Sequence, residues 1–235
     1  MLVRLIHFCR TNELQQEAAA LLTALQNKLD FSSHIGLDLT EAVQDKLLYL
    51  TTSYCEDIIS AIQNTNKLTE LILEDCRIED TGVNVLFSIL HNVRLRCSKA
   101  VLLQFLSLVS IENQLKCCKR ALDLTRALDR QVDLSETRLD LQACKSLALL
   151  LEFSEGLSEL DLSHCQLTDD SLEPLLTHLH KTAILDLSHN KIDDRLAKRI
   201  YKEVSTSCNI QTVRLFNNRI TDKKIFQQDK RFEIW

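Results

Sequence analysis

Cysteine and histidine have the widest chemistry in this sequence, because both bind metal ions and together they can form a nucleophile and its base. The chain has nine cysteines and seven histidines. A zinc site needs such residues in pairs across short loops, whereas Cys117 and Cys118 are adjacent and His164 and Cys165 fall within a repeated phrase. The sequence also has no glycine-rich phosphate loop of the form G-x-x-x-x-G-K-[S/T]. We therefore expect no metal site, no cofactor and no catalytic residue, and we interpret the chain as a non-enzyme.

The most informative feature is a short phrase that recurs along the chain. Each copy has two apolar residues separated by one residue, then a small polar residue or cysteine three positions later, then a third apolar residue two positions further on. This alternation is typical of a short strand with one buried side, followed by a turn. The five copies are Leu71–Ile78, Val132–Leu139, Leu160–Leu167, Leu185–Ile192 and Val213–Ile220.

The residues on the other side of each strand should point outward, and stacking of the repeats would align them in rows about 5 Å apart. Most of the charged residues in these rows are acidic, while Arg214 and Phe216 are types favoured at the energetic centre of protein interfaces. An alternative is that the residues recur only because the phrase recurs. The predicted partner-binding face consists of Glu70, Ile72, Glu74, Asp133, Ser135, Glu159, Asp161, Ser163, Ile184, Asp186, Ser188, Arg214 and Phe216.

Segments with helical spacing separate the late copies, namely 142–152, 170–180 and 194–204. The second leucines of these copies are Leu134, Leu162, Leu187 and Leu215, which are 28, 25 and 28 residues apart. One such unit leaves apolar edges exposed, so the units must stack to bury their leucines. Because the strand side of each unit is the shorter one, we expect an α/β solenoid that bends into an arc with the strands on its concave side.

The middle of the chain departs from the regular pattern. Between Leu73 and Leu134 there is room for about two units but no complete copy of the phrase. Either Val93-Arg94-Leu95 or Leu122-Asp123-Leu124 could supply the strand there, and the sequence leaves both open.

The ends suggest capping structure. We assign residues 1–66 to a largely helical cap or to degenerate repeats, with an amphipathic helix over 13–29 and an incomplete repeat start at 37–39. Residues 67–220 are the repeats. Residues 221–235 form a cap or tail, and their apolar residues would cover the last repeat: Phe226, Phe232, Ile234 and Trp235.

Composition narrows the partners and the compartment. The net charge of -5 gives no strong nucleic-acid signal, and the apolar run from Val101 to Ile111 is too short to span a membrane. The odd cysteine count and the lack of a recognisable signal peptide favour reduced thiols in the cytoplasm. Basic residues at helical spacing, 195, 198, 199 and 202, could contact an acidic partner, but a solvated helix face is the favoured interpretation.

The phrase L-x-x-L-x-L-x-x-[N/C]-x-L, present here from Leu157 to Leu167, resembles the leucine-rich repeat of ribonuclease-inhibitor type. The resemblance covers roughly residues 68 to 220 and implies a right-handed α/β horseshoe. It is strongest to the carboxy-terminal repeat domain of NOD-like receptors, which implies a ligand-sensing or autoinhibitory role in innate immunity through a protein partner. The same fold also serves leucine-rich-repeat regulators of enzymes, whether ribonuclease-inhibitor-like or GTPase-activating, and cytoskeletal or ubiquitin-ligase adaptors, and these alternatives stay open.

Overall fold

The computed structural model describes residues 2–32, 48–110 and 113–234. The chain divides into two compact units, one made of residues 1–105 and 126–128 and the other of residues 106–125 and 129–235. Each unit contains its own parallel sheet. The incomplete repeat start predicted at 37–39 lies outside the described residues.

The first unit alternates helices with short parallel strands. Its strands form one sheet of order β1-β3-β5 and a separate pair β2-β4. Its elements are α1 (Leu2–Thr11), α2 (Gln15–Ala24), β1 (Lys28–Asp30), β2 (Leu48–Leu50), α3 (Thr52–Gln63), β3 (Thr69–Leu73), β4 (Cys76–Ile78), α4 (Asp80–Leu86) continued by a 3₁₀ helix (Phe87–Asn92), β5 (Val93–Cys97) and the first part of α5 (Lys99–Ser107).

The predicted helix over 13–29 is too long at its carboxyl end. Helix α2 stops at Ala24, and Gln26 and Asn27 adopt left-handed backbone angles with φ of 56° each. The main-chain N–H of Asn27 then donates to the Leu22 carbonyl at 2.7 Å, which closes the helix end. Leu29 consequently lies in strand β1, where it is fully buried.

The second unit carries the late copies of the phrase. Its five parallel strands pair in the order β6-β7-β8-β9-β10. Its elements are the main part of α6 (Gln114–Ala127), β6 (Gln131–Asp133), α7 (Leu141–Phe153), β7 (Leu157–Asp161), α8 (Asp169–Leu172) continued by a 3₁₀ helix (Glu173–Lys181), β8 (Thr182–Asp186), α9 (Asp194–Ser205), β9 (Thr212–Arg214), a 3₁₀ turn (Lys224–Phe226) and β10 (Phe232–Glu233).

The three apolar slots of the phrase form the core of the repeats. All fifteen slot residues in the five copies are at most 8% exposed. In the copy at 160–167, for example, Leu160, Leu162 and Leu167 are completely buried. The predicted α/β leucine-rich-repeat solenoid is therefore confirmed, since buried leucines and parallel strands recur together.

The repeats of the second unit differ in length and in the type of helix that they contain. The 28-residue steps from Leu134 and from Leu187 contain the α-helices α7 and α9, whereas the 25-residue step from Leu162 is mostly 3₁₀ helix. The helical stretches are about equally long, with 13 residues in α7, 4 in α8 plus 9 in its 3₁₀ continuation, and 12 in α9. The shorter step comes from its connection, because Lys181 leads directly into β8, whereas three residues separate α7 from β7 and six separate α9 from β9. The predicted helix over 170–180 is thus α-helical only over its first residues.

The irregular middle is resolved in favour of one alternative. Val93, Arg94 and Leu95 form strand β5, whereas Leu122, Asp123 and Leu124 lie within helix α6. The long step from Leu95 to Leu134 contains two helices, α5 and α6, which explains its 39 residues.

The last repeat is covered by the segment that follows it. Strand β10 pairs with β9, and Tyr201 of α9 packs against Phe226 and Phe232 with ring centroids 5.6 and 5.2 Å away. The Arg231 guanidinium donates to the carbonyls of Ser205 and Ser207 at 2.6 and 2.7 Å. Residues 221–234 are therefore folded onto the second unit and close its apolar edge.

Candidate functional site

The strand pairing of the second unit aligns its outward residues into rows. Neighbouring parallel strands lie about 4.8 Å apart, so each row is a ladder of side chains at that spacing. One row is Gln131, Glu159, Ile184 and Thr212. The other is Asp133, Asp161, Asp186, Arg214 and Glu233, which we call the aspartate row.

Each aspartate of this row also stabilises the turn after its strand. The Oδ1 atoms of Asp133, Asp161 and Asp186 accept the main-chain N–H of the residue two positions later, at 2.8, 2.9 and 2.9 Å. This arrangement is an Asx turn, which aspartate and asparagine side chains favour. The aspartates therefore have a structural role in addition to any role in binding.

Arg214 lies between two carboxylates of the aspartate row. Its Nη1 is 3.6 Å from Asp186 and its Nε is 3.3 Å from Glu233. The row contains four acids and one arginine. Because Arg214 pairs with Asp186 and Glu233, the row remains negative at Asp133 on β6 and Asp161 on β7. Arg214 acts as an internal counter-ion here, which differs from the exposed anchor suggested by its residue type.

The row formed by Ser135, Ser163, Ser188 and Phe216 is less accessible than predicted. Ser188 is only 4% exposed, and its hydroxyl accepts the main-chain N–H of Phe216 at 3.2 Å. Phe216 itself is half-buried. The expectation of an outward, accessible Ser188 is therefore wrong, because its hydroxyl is used to connect neighbouring turns.

The three candidates of the first unit, Glu70, Ile72 and Glu74, lie on or next to β3. Ile72 is 3% exposed, so its predicted outward exposure is also wrong. Its neighbours on the adjacent strands are Asp30 and Arg96, and the long aliphatic stem of Arg96 can cover an apolar side chain.

The strand face of the first unit is charge-balanced. Arg96 is 3.1 Å from Glu74 and 3.9 Å from Glu70, and Lys28 is 3.8 Å from Asp30. The Ser32 hydroxyl bonded to Asp30, together with the nearby cations, holds the pKa of Asp30 below its usual value. A largely acidic face is thus present in the second unit and not in the first.

Several charged face residues were missed by the sequence pattern. Lys28 was assigned to the helix predicted over 13–29, and Asp30 directly follows that helix, so neither was recognised as a strand residue. Glu233 lies in a tail that lacks the leucine phrase. Arg94 and Arg96 belong to the strand that was one of two alternatives. The apolar alternation of Phe232-Glu233-Ile234 is the signal that could have identified the last strand.

Three of the cysteines are poor nucleophiles because they are buried. Cys55, Cys76 and Cys144 are buried, and burial raises the pKa of each thiol to about 12. They therefore stay protonated at neutral pH.

Among residues 2–32, 48–110 and 113–234, no three metal-binding side chains converge as a metal site requires. In the same ranges, every helix is too short or too polar to cross a bilayer.

Two of the four basic residues predicted as a stripe on α9 are paired with acids of the neighbouring turns. Arg199 donates to both Glu173 carboxylate oxygens at 2.6 Å, and Lys198 is 3.1 Å from Asp222. This pairing agrees with the interpretation of a solvated helix face.

Comparison with known proteins agrees with the repeat geometry. The family model described as "Leucine Rich repeat" matches residues 65–87, 157–176 and 184–195. Ribonuclease inhibitor of Sus scrofa is 31% identical over 179 residues, which cover 73% of this chain and 38% of that protein. NACHT, LRR and PYD domains-containing protein 3 of Rattus norvegicus is 30% identical over 155 residues, or 62% of this chain and 14% of that protein.

The chain thus spans well under half the length of either relative. What the matches share with the structure is the repeat itself: buried leucines, in-register parallel strands and helical segments between them. The chain therefore carries leucine-rich repeats of ribonuclease-inhibitor type, and these repeats resemble those of NOD-like receptors.

Proposed function

We propose that this chain is a non-catalytic protein-interaction module that docks a protein partner on the strand face of its second unit. The observation on which the proposal depends is the aspartate row, which displays charged side chains at a fixed spacing on a rigid sheet. Binding on such a surface needs shape and charge complementarity and no reacting group.

The charge of this face suggests the chemistry of the partner. Asp133, Glu159 and Asp161 lie on β6 and β7, whereas Arg214 offsets Asp186 and Glu233 on β8 to β10. Basic side chains of the partner would therefore meet β6 and β7, and Ile184 and the half-buried Phe216 would provide apolar contact. The remaining candidates on this face, Ser135 and Ser163, would lie at its edge.

For the biological role, we propose the ligand-sensing or autoinhibitory repeat domain of a NOD-like innate immune receptor, located in the cytoplasm. Support comes from the 30% identity with a protein whose name includes NACHT, LRR and PYD domains. In this role Glu70 and Glu74 would form a separate partner contact on the strand face of the first unit.

The test is partner capture with an isosteric neutralisation of the face. In the variant Asp133→Asn/Asp161→Asn/Asp186→Asn, each amide oxygen can still accept the turn N–H, so the fold should be preserved while charge is lost. The control Glu13→Gln/Glu17→Gln/Asp170→Asn removes the same charge from exposed positions outside the strands. We expect the first variant to lose the proteins that the wild type retains from cytosol, and the control to keep them. If both variants retain the same proteins, the strand face is not the docking surface.

A second candidate function is inhibition of a ribonuclease, favoured by the 31% identity with a protein named ribonuclease inhibitor. The purified chain would be added in increasing amounts to a pancreatic-type ribonuclease. Stoichiometric loss of RNA cleavage, reversed in the Asp133/Asp161/Asp186 variant, would select this function over receptor sensing. Unchanged cleavage at micromolar concentrations of the chain would exclude it.

A further inference from the structure

The second unit has a cavity of about 470 Å³ at the point where its strands begin. Arg130 immediately precedes β6, Leu157 begins β7, Ala183 is the second residue of β8 and Gln211 immediately precedes β9, and all four line the cavity. The aspartate row begins three residues after Arg130, about 10 Å further along the strands. The cavity is therefore a separate feature from the acidic face.

The lining is positive in a protein that is negative as a whole. Arg130 and Lys181 contribute two cations and Glu155 one anion, while the whole chain has a net charge of -5. Arg130 and Lys181 form no ion pair with a carboxylate in the described part of the chain, and both donate to main-chain carbonyls. Their charge is thus oriented by the backbone and not neutralised by an acid.

The backbone of Gly156 lies next to both Arg130 and Lys181. Its φ is +93°, and a Cβ atom on this residue would lie 2.5 Å from the Lys181 carbonyl oxygen and 3.8 Å from Arg130 Nη2. The Gly156 carbonyl accepts from Arg130 Nε at 2.9 Å. The positive φ and the close approach of the Lys181 carbonyl therefore require glycine at this position, and the bond from Arg130 Nε to the Gly156 carbonyl orients the guanidinium before any ligand arrives.

The supply of hydrogen-bond donors selects the ligand. Lys181 Nζ already donates to the carbonyls of Leu151, Glu152 and Ser154 at 2.9, 2.6 and 3.2 Å, which uses all three of its N–H groups. Arg130 uses Nε and one N–H of Nη2, which leaves the second N–H of Nη2 and both of Nη1, and the side-chain amides of Asn209 and Gln211 add neutral donors to the lining. Arg130 is therefore the charged donor of the lining with N–H groups to spare. One guanidinium matches the two oxygens and single charge of a carboxylate better than a phosphate, which has more oxygens and more charge.

We infer that this cavity binds the carboxylate of an acidic side chain on a polypeptide, with Arg130 as the principal contact. The inference rests on the proposed function in so far as the polypeptide is the docking partner. That partner would then carry an acidic group about 10 Å from the basic groups that meet the aspartate row. Charge of both signs at a defined distance would add specificity to the interface.

The test uses short peptides, so that its outcome does not depend on the partner or on the aspartate row. Acetyl-Gly-Glu-Gly-amide, acetyl-Gly-Gln-Gly-amide and inorganic phosphate are titrated separately into the ¹⁵N-labelled chain at constant ionic strength. The glutamate peptide should produce saturable amide shifts at Gly156, Lys181 and Gln211 in the millimolar range, at least fivefold tighter than the glutamine peptide. Equal affinities for the two peptides, or phosphate binding as tight as the glutamate peptide, would overturn the carboxylate assignment.

Two variants connect the binding to the cavity. Arg130→Gln should weaken binding of the glutamate peptide at least fivefold. Gln211→Ala should weaken it two- to threefold, and the Gln211 side chain forms no hydrogen bond within the described part of the chain. The matched control Arg219→Gln removes an exposed arginine outside the cavity and should leave the affinity unchanged. If Arg130→Gln and Gln211→Ala both retain wild-type affinity, the peptide binds elsewhere and the inference fails.

Discussion

Asn190 shows how single residues join neighbouring repeats. Its Nδ2 donates to the Leu162 carbonyl of the preceding turn at 2.8 Å, and its Oδ1 accepts the main-chain N–H of Leu167 at 3.0 Å. Asn218 makes the equivalent bonds to Leu187 and Ile192 one repeat later. The small polar position in the phrase is therefore a connection between turns, as the need to satisfy buried backbone groups predicts.

Replacing Asn190 with alanine should destabilise the protein by about 3 kcal/mol, because it leaves the buried Leu167 N–H without an acceptor and removes donors from several carbonyls. Urea unfolding at equal m-value would measure the change. Lys191→Ala, at the exposed neighbouring position, should change the free energy of unfolding by less than about 0.5 kcal/mol. Equal effects of the two substitutions would contradict the role given to Asn190.

The exposure of the strand-face residues could be predicted only in part from the sequence. Alternation correctly placed Asp133, Asp161 and Asp186 outside and the leucines inside, because a strand has a period of two. It did not predict that Ile72 and Ser188 are buried, since their exposure depends on side chains from adjacent turns that are distant in sequence. The internal use of Arg214 was missed for the same reason, because its partner Glu233 is supplied by the tail.

Among the elements, the connection between helix and strand sets the repeat length, because the 3₁₀ helix that ends at Lys181 leads directly into β8. The steps of 28 residues contain α-helices, and the step of 25 contains mainly 3₁₀ helix. The sequence predicted the helical segments because their apolar spacing is clear, and α7 differs from its prediction by one residue at each end. It could not predict β1, because three residues of strand after a helix carry too little periodicity to be recognised.

The closing segment of the second unit should contribute measurably to stability. Phe232 is 6% exposed and packs 5.2 Å from both Tyr201 and Phe226, measured between ring centroids. Phe232→Ala should therefore lower the free energy of unfolding by about 3 kcal/mol, in the range for truncation of a buried phenylalanine. Gln227→Ala, in the same segment but exposed, is the control. A loss below about 1 kcal/mol for Phe232→Ala, measured by the same denaturant method, would show that the segment does not close the core.

The same segment should loosen first in acid. The pKa of Asp194 is lowered by bonds from Thr221, that of Asp222 by Lys198 and that of Asp229 by Arg231. A lowered folded-state pKa stabilises the folded form above the unfolded value of 3.8, and this stabilisation is lost as pH falls through the folded pKa.

Hydrogen exchange corrected for intrinsic rates tests this between pH 5 and about pH 2.5. Protection of the Val213 and Leu215 amides, which donate to the tail, should fall more than that of Leu162 in the middle of the sheet. Asp194→Asn should reduce the pH dependence. Parallel loss of protection at all three amides would contradict the prediction.

At the scale of the molecule, charge is distributed unevenly. The face of the second unit is acidic on β6 and β7, the start of its strands is positive, and the strand face of the first unit pairs its charges internally. The sequence predicted the fold class and the acidic rows because both follow from the repeated phrase. It did not predict the positive cavity, whose residues come from four separate strand starts and share no motif.

Partner affinity should depend on salt if the acidic face is used. Raising the ionic strength from about 0.1 to 1 M shortens the screening length from about 10 to about 3 Å. We expect roughly a tenfold loss of affinity for the wild type, and a smaller loss for the variant with the three neutralised aspartates. Equal salt dependence of both proteins would place the electrostatic contact elsewhere.

Site-specific photo-cross-linking tests most directly whether the strand face of the second unit is the docking surface. A photoreactive amino acid would replace Glu159 on β7, and in a second protein Glu203 on the outer helix α9. Irradiation in cytosol should give a cross-linked partner from position 159 and none from position 203. A partner captured only from position 203 would contradict docking on the strand face.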